Sequence, residues 1–367
     1  MTAVASPLRM PRIGRRLSLV GLSAIGVVVY FLLLFTALSL DPTTRAVAAG
    51  TAAQQVFNAL AIGAIYALIA LGYTMVYGII ELINFAHGDV FMLGAFIASW
   101  ILLTFPAVGP LSFLGGIGFH LFAPVNSIPL LVFYLGVALA LTMLATGAIN
   151  LTIERVFYRP LRNAPRLAPL ITAIGVSFIL QNVALVIAGS GDRQTAQLVP
   201  PSWSIQVFGA RVPVLDIVIF VLALVLMTAL TQFVSRTRLG RAMRSTAQDR
   251  EASQLMGVDL NQTIALTFLL GGALAGAAGV VWGLRFPFVR HDLGFNAGLK
   301  AFTSAVLGGI GNITGAVLGG FIIGFVEVGA ATFGYLRWAE LIVFTILTLV
   351  LVFRPAGLLG QQIGERA

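Results

Sequence analysis

GAIYALIALGYTMVYGIIELINFAHGDVFMLGAF, residues 63–96, decides the fold. Two apolar blocks, 54–79 and 86–104, meet at a polar stretch that carries Glu81 and Asn84 between them and His87 and Asp89 at the start of the second. Each block is about as long as a helix needs to cross the hydrocarbon core of a bilayer, ~30 Å thick. No water reaches backbone groups there, so helices that satisfy their own hydrogen bonds are the natural solution. Ionisable and amide side chains between such blocks are costly unless they find partners. Asn84 and Asp89 are both residue types that cap helix N-termini. Glu81, Asn84 and His87 would lie along one drifting face if the helix continued. Two readings stay open: a broken helix whose backbone lines a substrate path, or a polar turn that joins two spans and is satisfied by its own caps.

Composition extends this reading to the whole chain. Of 367 residues, 59% are hydrophobic and 10% charged, against roughly 25% charged in soluble domains. Even a large soluble domain leaves much of its surface in water, so this is the composition of a multi-pass membrane protein. There is no cysteine, which excludes disulfides, thiolate catalysis and Cys-ligated metals. The net charge of +9 comes from short loops between apolar blocks, which points to topology and away from nucleic acid.

The N-terminal tail carries Arg9, Arg12, Arg15 and Arg16 before an apolar run over 17–38. That run is longer than a signal-peptide core, so an uncleaved first span is expected. Further spans are expected at 54–79, 86–104, 129–151, 167–189, 213–234, 262–284, 313–333 and 338–353. A shorter apolar run, 299–311, is expected either to cross or to form a half-helix. The stretch 105–127 reads as a loop with a short surface helix over 111–122. Arginines cluster in the tail, in the loop 152–166, in the loop 235–261 and after the last span, and together these hold fifteen of the 22 Lys and Arg. With a cytoplasmic tail and every candidate crossing, all fifteen fall inside. The expectation is therefore an all-α transmembrane bundle of about ten spans (range 8–10) with both termini cytoplasmic. Its parts would be 1–53 (basic tail, first span and outer linker), 54–360 (the main bundle) and a tail, 361–367.

Several features bear on function. In the loop 235–261, residues 248–256 predict a short helix with Asp249 near its N-terminus, and Gly257 suits the left-handed position that ends a helix. Such a helix could fit a groove on a soluble partner and pass on its motion, or the loop could be a solvated, positively charged connection. Gly272 and Gly276, Gly315 and Gly319, and Gly320 and Gly324 have the spacing of close helix packing in lipid. Gly308-Gly309-Ile310-Gly311-Asn312 lacks the ending of a phosphate-binding loop, and no such motif occurs in the chain. Gln181 and Asn182 lie mid-span and suit hydrogen bonds to a neighbouring helix or contact with a solute. Glu327 would face the bundle or reach toward an interface. Arg290-His291-Asp292 reads as part of an outer loop. His87, His120 and His291 have no ligand spacing. No metal, cofactor or catalytic residue is expected.

The run 63–96, with its Asn84-Phe85-Ala86-His87-Gly88-Asp89 core, resembles the LivH-type permeases of branched-chain amino-acid ABC importers. So do Glu154-Arg155-x-x-Tyr158-Arg159-Pro160-Leu161-Arg162, the segment 298–312, and Phe353–Gly360. The resemblance covers most of 54–360, while 1–53 and 105–128 look like additions. It implies a type II importer permease in the inner membrane. It also implies a second homologous permease, two cytoplasmic ATP-binding subunits and a periplasmic amino-acid-binding protein as partners. The loop is similar to the permease coupling motif: Glu251, Ala252 and Gly257 match and Ser253 replaces an alanine, with Asp249 just before. The solute path is expected near Asn84, His87, Asp89, Gly308, Gly309 and Asn312. The resemblance also admits urea or short amides as solutes. A stand-alone secondary transporter or channel is the rival class, and it would place ionisable groups at mid-membrane.

Overall fold

The computed structural model describes residues 42–80, 83–102, 128–162, 164–165, 167–195, 199, 203–207 and 210–360. The expected first span at 17–38, the loop 105–127, Glu81, His120, Arg166 and the tail 361–367 lie outside them. The described chain is mainly helical, and seven of its helices are long and apolar enough to cross a membrane.

Helix α1 (Pro42–Ile80) leads through residues 83–85 into α2 (Ala86–Leu102). Helix α3 (Ile128–Ile153) continues through a π-turn (Glu154–Tyr158) and a 3-10 turn (Arg159–Leu161). Then come α4 (Leu167–Ala188), α5 (Val214–Arg236), α6 (Arg238–Gln248), α7 (Arg250–Leu255) and α8 (Leu260–Arg285). The chain closes with α9 (Leu293–Gly308), α10 (Ile313–Thr332) and α11 (Ala339–Phe353). Two small antiparallel ribbons depart from the all-α expectation. β1 (Arg193–Gln194) pairs with β4 (Phe288–Val289), with Arg193 opposite Val289. β2 (Ser204–Val207) pairs with β3 (Ala210–Pro213), with Ile205 opposite Val212.

The bundle has two ends. At one, Arg250 donates to the Ile79 carbonyl (3.1 Å), and Arg162 reaches Asn261 at the start of α8 (2.6 Å). At the other, near the ribbons, Arg285 at the end of α8 pairs with Asp216 at the start of α5 (2.9 Å). We call these the arginine-rich end and the ribbon end.

Helices α1 and α8 form the centre. Of the residues in their most apolar windows, 89% and 78% are buried, against 22% in α4 and α5 and 17% in the last span. Small residues make this possible, because helices in lipid gain from close van der Waals contact. A Cβ built on Gly320 of α10 would lie 2.5 Å from the Ala67 amide of α1, and one on Gly324 would lie 2.5 Å from Gly63 Cα. Gly272 and Gly276 close on Thr146 and Asn150 of α3, and Gly315 and Gly319 on Gly308 and Ser304 of α9. All three glycine pairs thus seat helix against helix. Asn150 fixes one of these seams with a hydrogen bond to the Phe268 carbonyl (2.6 Å).

Helices α2 and α9 are too short to be among the seven. Their N-termini meet inside the bundle: Gly88 packs on Gly298 and Gly294, and Gly294 on Asp89. His87 lies against Gly72, roughly 12 Å back from the end of α1 at Ile80 by helical rise. The short run expected over 299–311 is therefore the later part of a helix that starts at Leu293, inside the bundle.

Candidate functional site

The α1–α2 junction is built from polar groups held by distant elements. Asn84 is 2% exposed, and its side-chain carbonyl accepts from the Tyr158 hydroxyl in the π-turn (2.9 Å). The backbone amide of His87 bonds the Asn84 carbonyl (3.1 Å). The His87 ring is buried edge-to-face against Tyr73 at 4.6 Å. Asp89 accepts from Ser177 of α4 (2.5 Å), and Gln181 backs that serine at 3.2 Å. The capping roles expected for Asn84 and Asp89 are thus replaced by ties between helices. The cause is energetic: a buried amide or carboxylate without a hydrogen bond is expensive in an apolar setting, and the π-turn after α3 and helix α4 each supply one bond. The positive ends of α2 and α9 also favour a carboxylate at position 89. Glu81 lies outside the described residues.

A cavity of about 10 Å³ opens beside this junction, at the lower limit for one water. Tyr73, Thr74 and Asn84 line one side, and Phe302, Ala305 and Val306 of α9 the other. The two breaks singled out in the sequence thus share one narrow space. Gly308, Gly309 and Asn312 lie at its arginine-rich edge in a packed corner. Asn312 caps α10 by accepting from the Gly315 amide (3.1 Å) and donates to the Leu359 carbonyl (2.8 Å). The Leu359 amide bonds Gly308 (2.9 Å), and Gly309 has φ +111°, a backbone region that excludes most side chains.

The loop 235–261 is two helices where one was expected over 248–256. Thr237 caps α6 by accepting from the Gly240 amide (2.9 Å). Asp249, extended at φ −155°, ends α6 and caps α7 by accepting from the Ala252 amide (3.0 Å). Its cap geometry breaks the chain, so the helix starts at Arg250. Ser253 is buried and donates to the Asp249 carbonyl (2.6 Å). Gly257 ends the turn at φ +84°, as its position predicts. Glu251 and Ala252 are exposed. Beside them Leu255 and Met256, two large apolar side chains, are 89% and 85% exposed.

The sequence profile of a family described as "Branched-chain amino acid transport system / permease component" matches residues 55–352. The chain belongs to this family. The permease is 44% identical over 317 residues to the high-affinity branched-chain amino acid transport system permease protein BraD of Pseudomonas aeruginosa, covering 85% of this chain and 97% of that one. It is 39% identical over 316 residues to LivH of Escherichia coli, with the same coverage. A probable LivH of Methanocaldococcus jannaschii is 28% identical over 80% of this chain and 88% of its own. No solved structure matches the permease. It is a multi-pass membrane subunit and not an enzyme.

Four residues at these sites are not assigned by the sequence alone. Tyr158 sits in the patterned segment 154–162, but its partner lies 74 positions away. Arg250 counted only as loop charge, yet it meets the last turn of α1. Leu255 and Met256 were visible as apolar residues in a polar loop, which is itself a contact signal. Asn182 bonds its own helix at the Phe178 carbonyl (2.8 Å) rather than a neighbour. Glu327 does face the bundle: it pairs with Lys300 (2.8 Å) and accepts from Tyr66 (2.6 Å). Among the described residues no cluster of potential metal ligands occurs.

Proposed function

We propose that the permease carries branched-chain amino acids inward across the inner membrane as one subunit of an ATP-driven, binding-protein-dependent importer. The observation that supports this best is α7, a capped helix with Glu251, Ala252, Leu255 and Met256 uncovered at the arginine-rich end. Exposed leucine and methionine beside charged residues suit a groove on a soluble protein. The permease holds no nucleotide-binding motif, so the energy must enter through such a contact. The names of its relatives supply the solute class.

In this reading the arginine-rich end faces the cytoplasm and both termini lie there. The bundle has about ten crossings, and residues 54–360 form the transporting unit. The partners are a second homologous permease, two ATP-binding subunits of which one docks on Asp249–Gly257, and a periplasmic binding protein at the ribbon end. The solute path passes Asn84, His87 and Asp89, with Gly308, Gly309 and Asn312 framing its cytoplasmic mouth. The cavity is closed in this conformation and widens when α9 moves relative to α1. Its lining is mainly apolar and aromatic, so the binding protein supplies most of the selectivity.

The test is ATP-driven uptake of labelled leucine, valine, urea and acetamide by the complete complex in proteoliposomes. Leucine and valine should accumulate only with the binding protein and ATP. Uptake of urea or acetamide in their place would reassign the solute class, and leucine uptake without ATP would end the importer reading.

A further inference from the structure

The segment that carries α7 is tied to the rest of the bundle on both sides, and the two ties lead to one residue. Upstream, Arg250 opens α7, and its guanidinium donates to the Ile79 carbonyl at the C-terminus of α1 (3.1 Å). A cation there satisfies an orphan carbonyl and the negative end of the helix. Ile83 and Asn84, only a few residues along the chain from Ile80, are non-helical. Downstream, Asn261 in the first turn of α8 accepts from Arg162 (2.6 Å), and Arg162 also pairs with the buried Glu154. Glu154 opens the π-turn that ends at Tyr158, and Tyr158 donates its hydroxyl to Asn84 (2.9 Å). π-turns inside helices are uncommon and cluster where function requires a displaced side chain.

We propose that Arg250 and Tyr158 are positioning residues that carry the movement of α7 to Asn84 by two separate arms. One arm runs through the end of α1 and the other through Asn261, Arg162, Glu154 and the π-turn. Movement of α7 displaces Asn84 from both sides of the junction at once, which is how a lever at the surface reaches a cavity buried in the bundle. Each arm joins side-chain hydrogen bonds to a short stretch of covalent chain, the kind of physical continuity along which coupling travels. The proposal rests on the reading that α7 receives the push of an ATPase.

The experiment measures leucine uptake and ATP hydrolysis together, in proteoliposomes holding the complete complex. Tyr158→Phe removes one hydroxyl and Arg250→Ala one guanidinium. Each should lower uptake about tenfold, the worth of one hydrogen bond, while ATP hydrolysis and complex assembly stay at the wild-type level. ATP consumed per leucine then rises about tenfold, which mere loosening of the fold would not produce. Arg250→Lys should restore part of the uptake, because an ammonium still faces the Ile79 carbonyl. Combining Tyr158→Phe with Arg250→Ala should multiply the losses, since the arms are independent. Adding Tyr158→Phe to Asn84→Ala should cost nothing more, since they share an arm. Wild-type ratios in both single variants, with uptake lost in Glu251→Arg, would overturn the two arms and leave the lever standing. Wild-type uptake in Glu251→Arg as well would overturn both. A parallel loss of uptake, hydrolysis and assembly would reduce the residues to a structural role and overturn the proposal.

Discussion

Helix α1 and the last span, α11 together with the 3-10 turn Leu336–Trp338 before it, are both apolar enough to cross a membrane, yet 89% of one and 17% of the other is buried in its most apolar window. The difference lies in side-chain size. α1 carries Gly63, Ala64, Ala67, Ala70 and Gly72 toward its neighbours, whereas α11 is almost entirely large aliphatic and aromatic residues from Leu341 to Phe353. In lipid a leucine gains little by leaving the tails for a protein interior, so small residues that let backbones close decide which helix sits inside. Apolarity selects for the membrane, and smallness selects for the centre.

The sharpest way to break that contrast is at Gly320, where α10 closes on α1. Gly320→Leu places a side chain into the backbone of Ala67. Overpacking usually costs about 1–3 kcal/mol, but a clash with backbone exceeds that, so little monodisperse protein should survive gel filtration in detergent. Gly136→Leu on α3 is the matched control. Among the described residues nothing lies within 4 Å of a Cβ there, and the yield should not change. A smaller effect is expected at Phe268 of α8, which is fully buried between Tyr158 and the core. Phe268→Ala should destabilise by about 3 kcal/mol, read as a lowered thermal midpoint with the elution profile unchanged. The smallest belongs to Leu341→Ala on α11, 59% exposed, at under about 0.5 kcal/mol. A large loss there would mean that α11 is covered by another subunit.

The same contrast explains what could be read before the structure. Every expected span in the described residues is a helix, with ends such as Leu167–Ala188 and Val214–Arg236 within two residues of those read from apolar length. The break at Asn84 was legible because polar residues interrupt an apolar run, and the glycine spacings announced close packing. What each polar side chain touches was not legible. Asn84 meets Tyr158 and Asp89 meets Ser177 across 74 and 88 positions, and only the tertiary arrangement sets those pairs. The split at Asp249 was half visible: an aspartate suits a cap, but nothing local told that the preceding residues would also be helical. The Lys300–Glu327 pair inside the bundle was read only as a lone glutamate, because the lysine stands 27 positions earlier on a helix whose start was missed.

The central claim is that a buried solute cavity is worked by a lever at the surface which another subunit pushes. Glu251→Arg tests it most directly, in the complete complex, by uptake of labelled leucine against a gradient. Glu251 is exposed, so the variant should insert and stay monodisperse while uptake falls to background. Uptake at the wild-type rate by that variant would contradict the account.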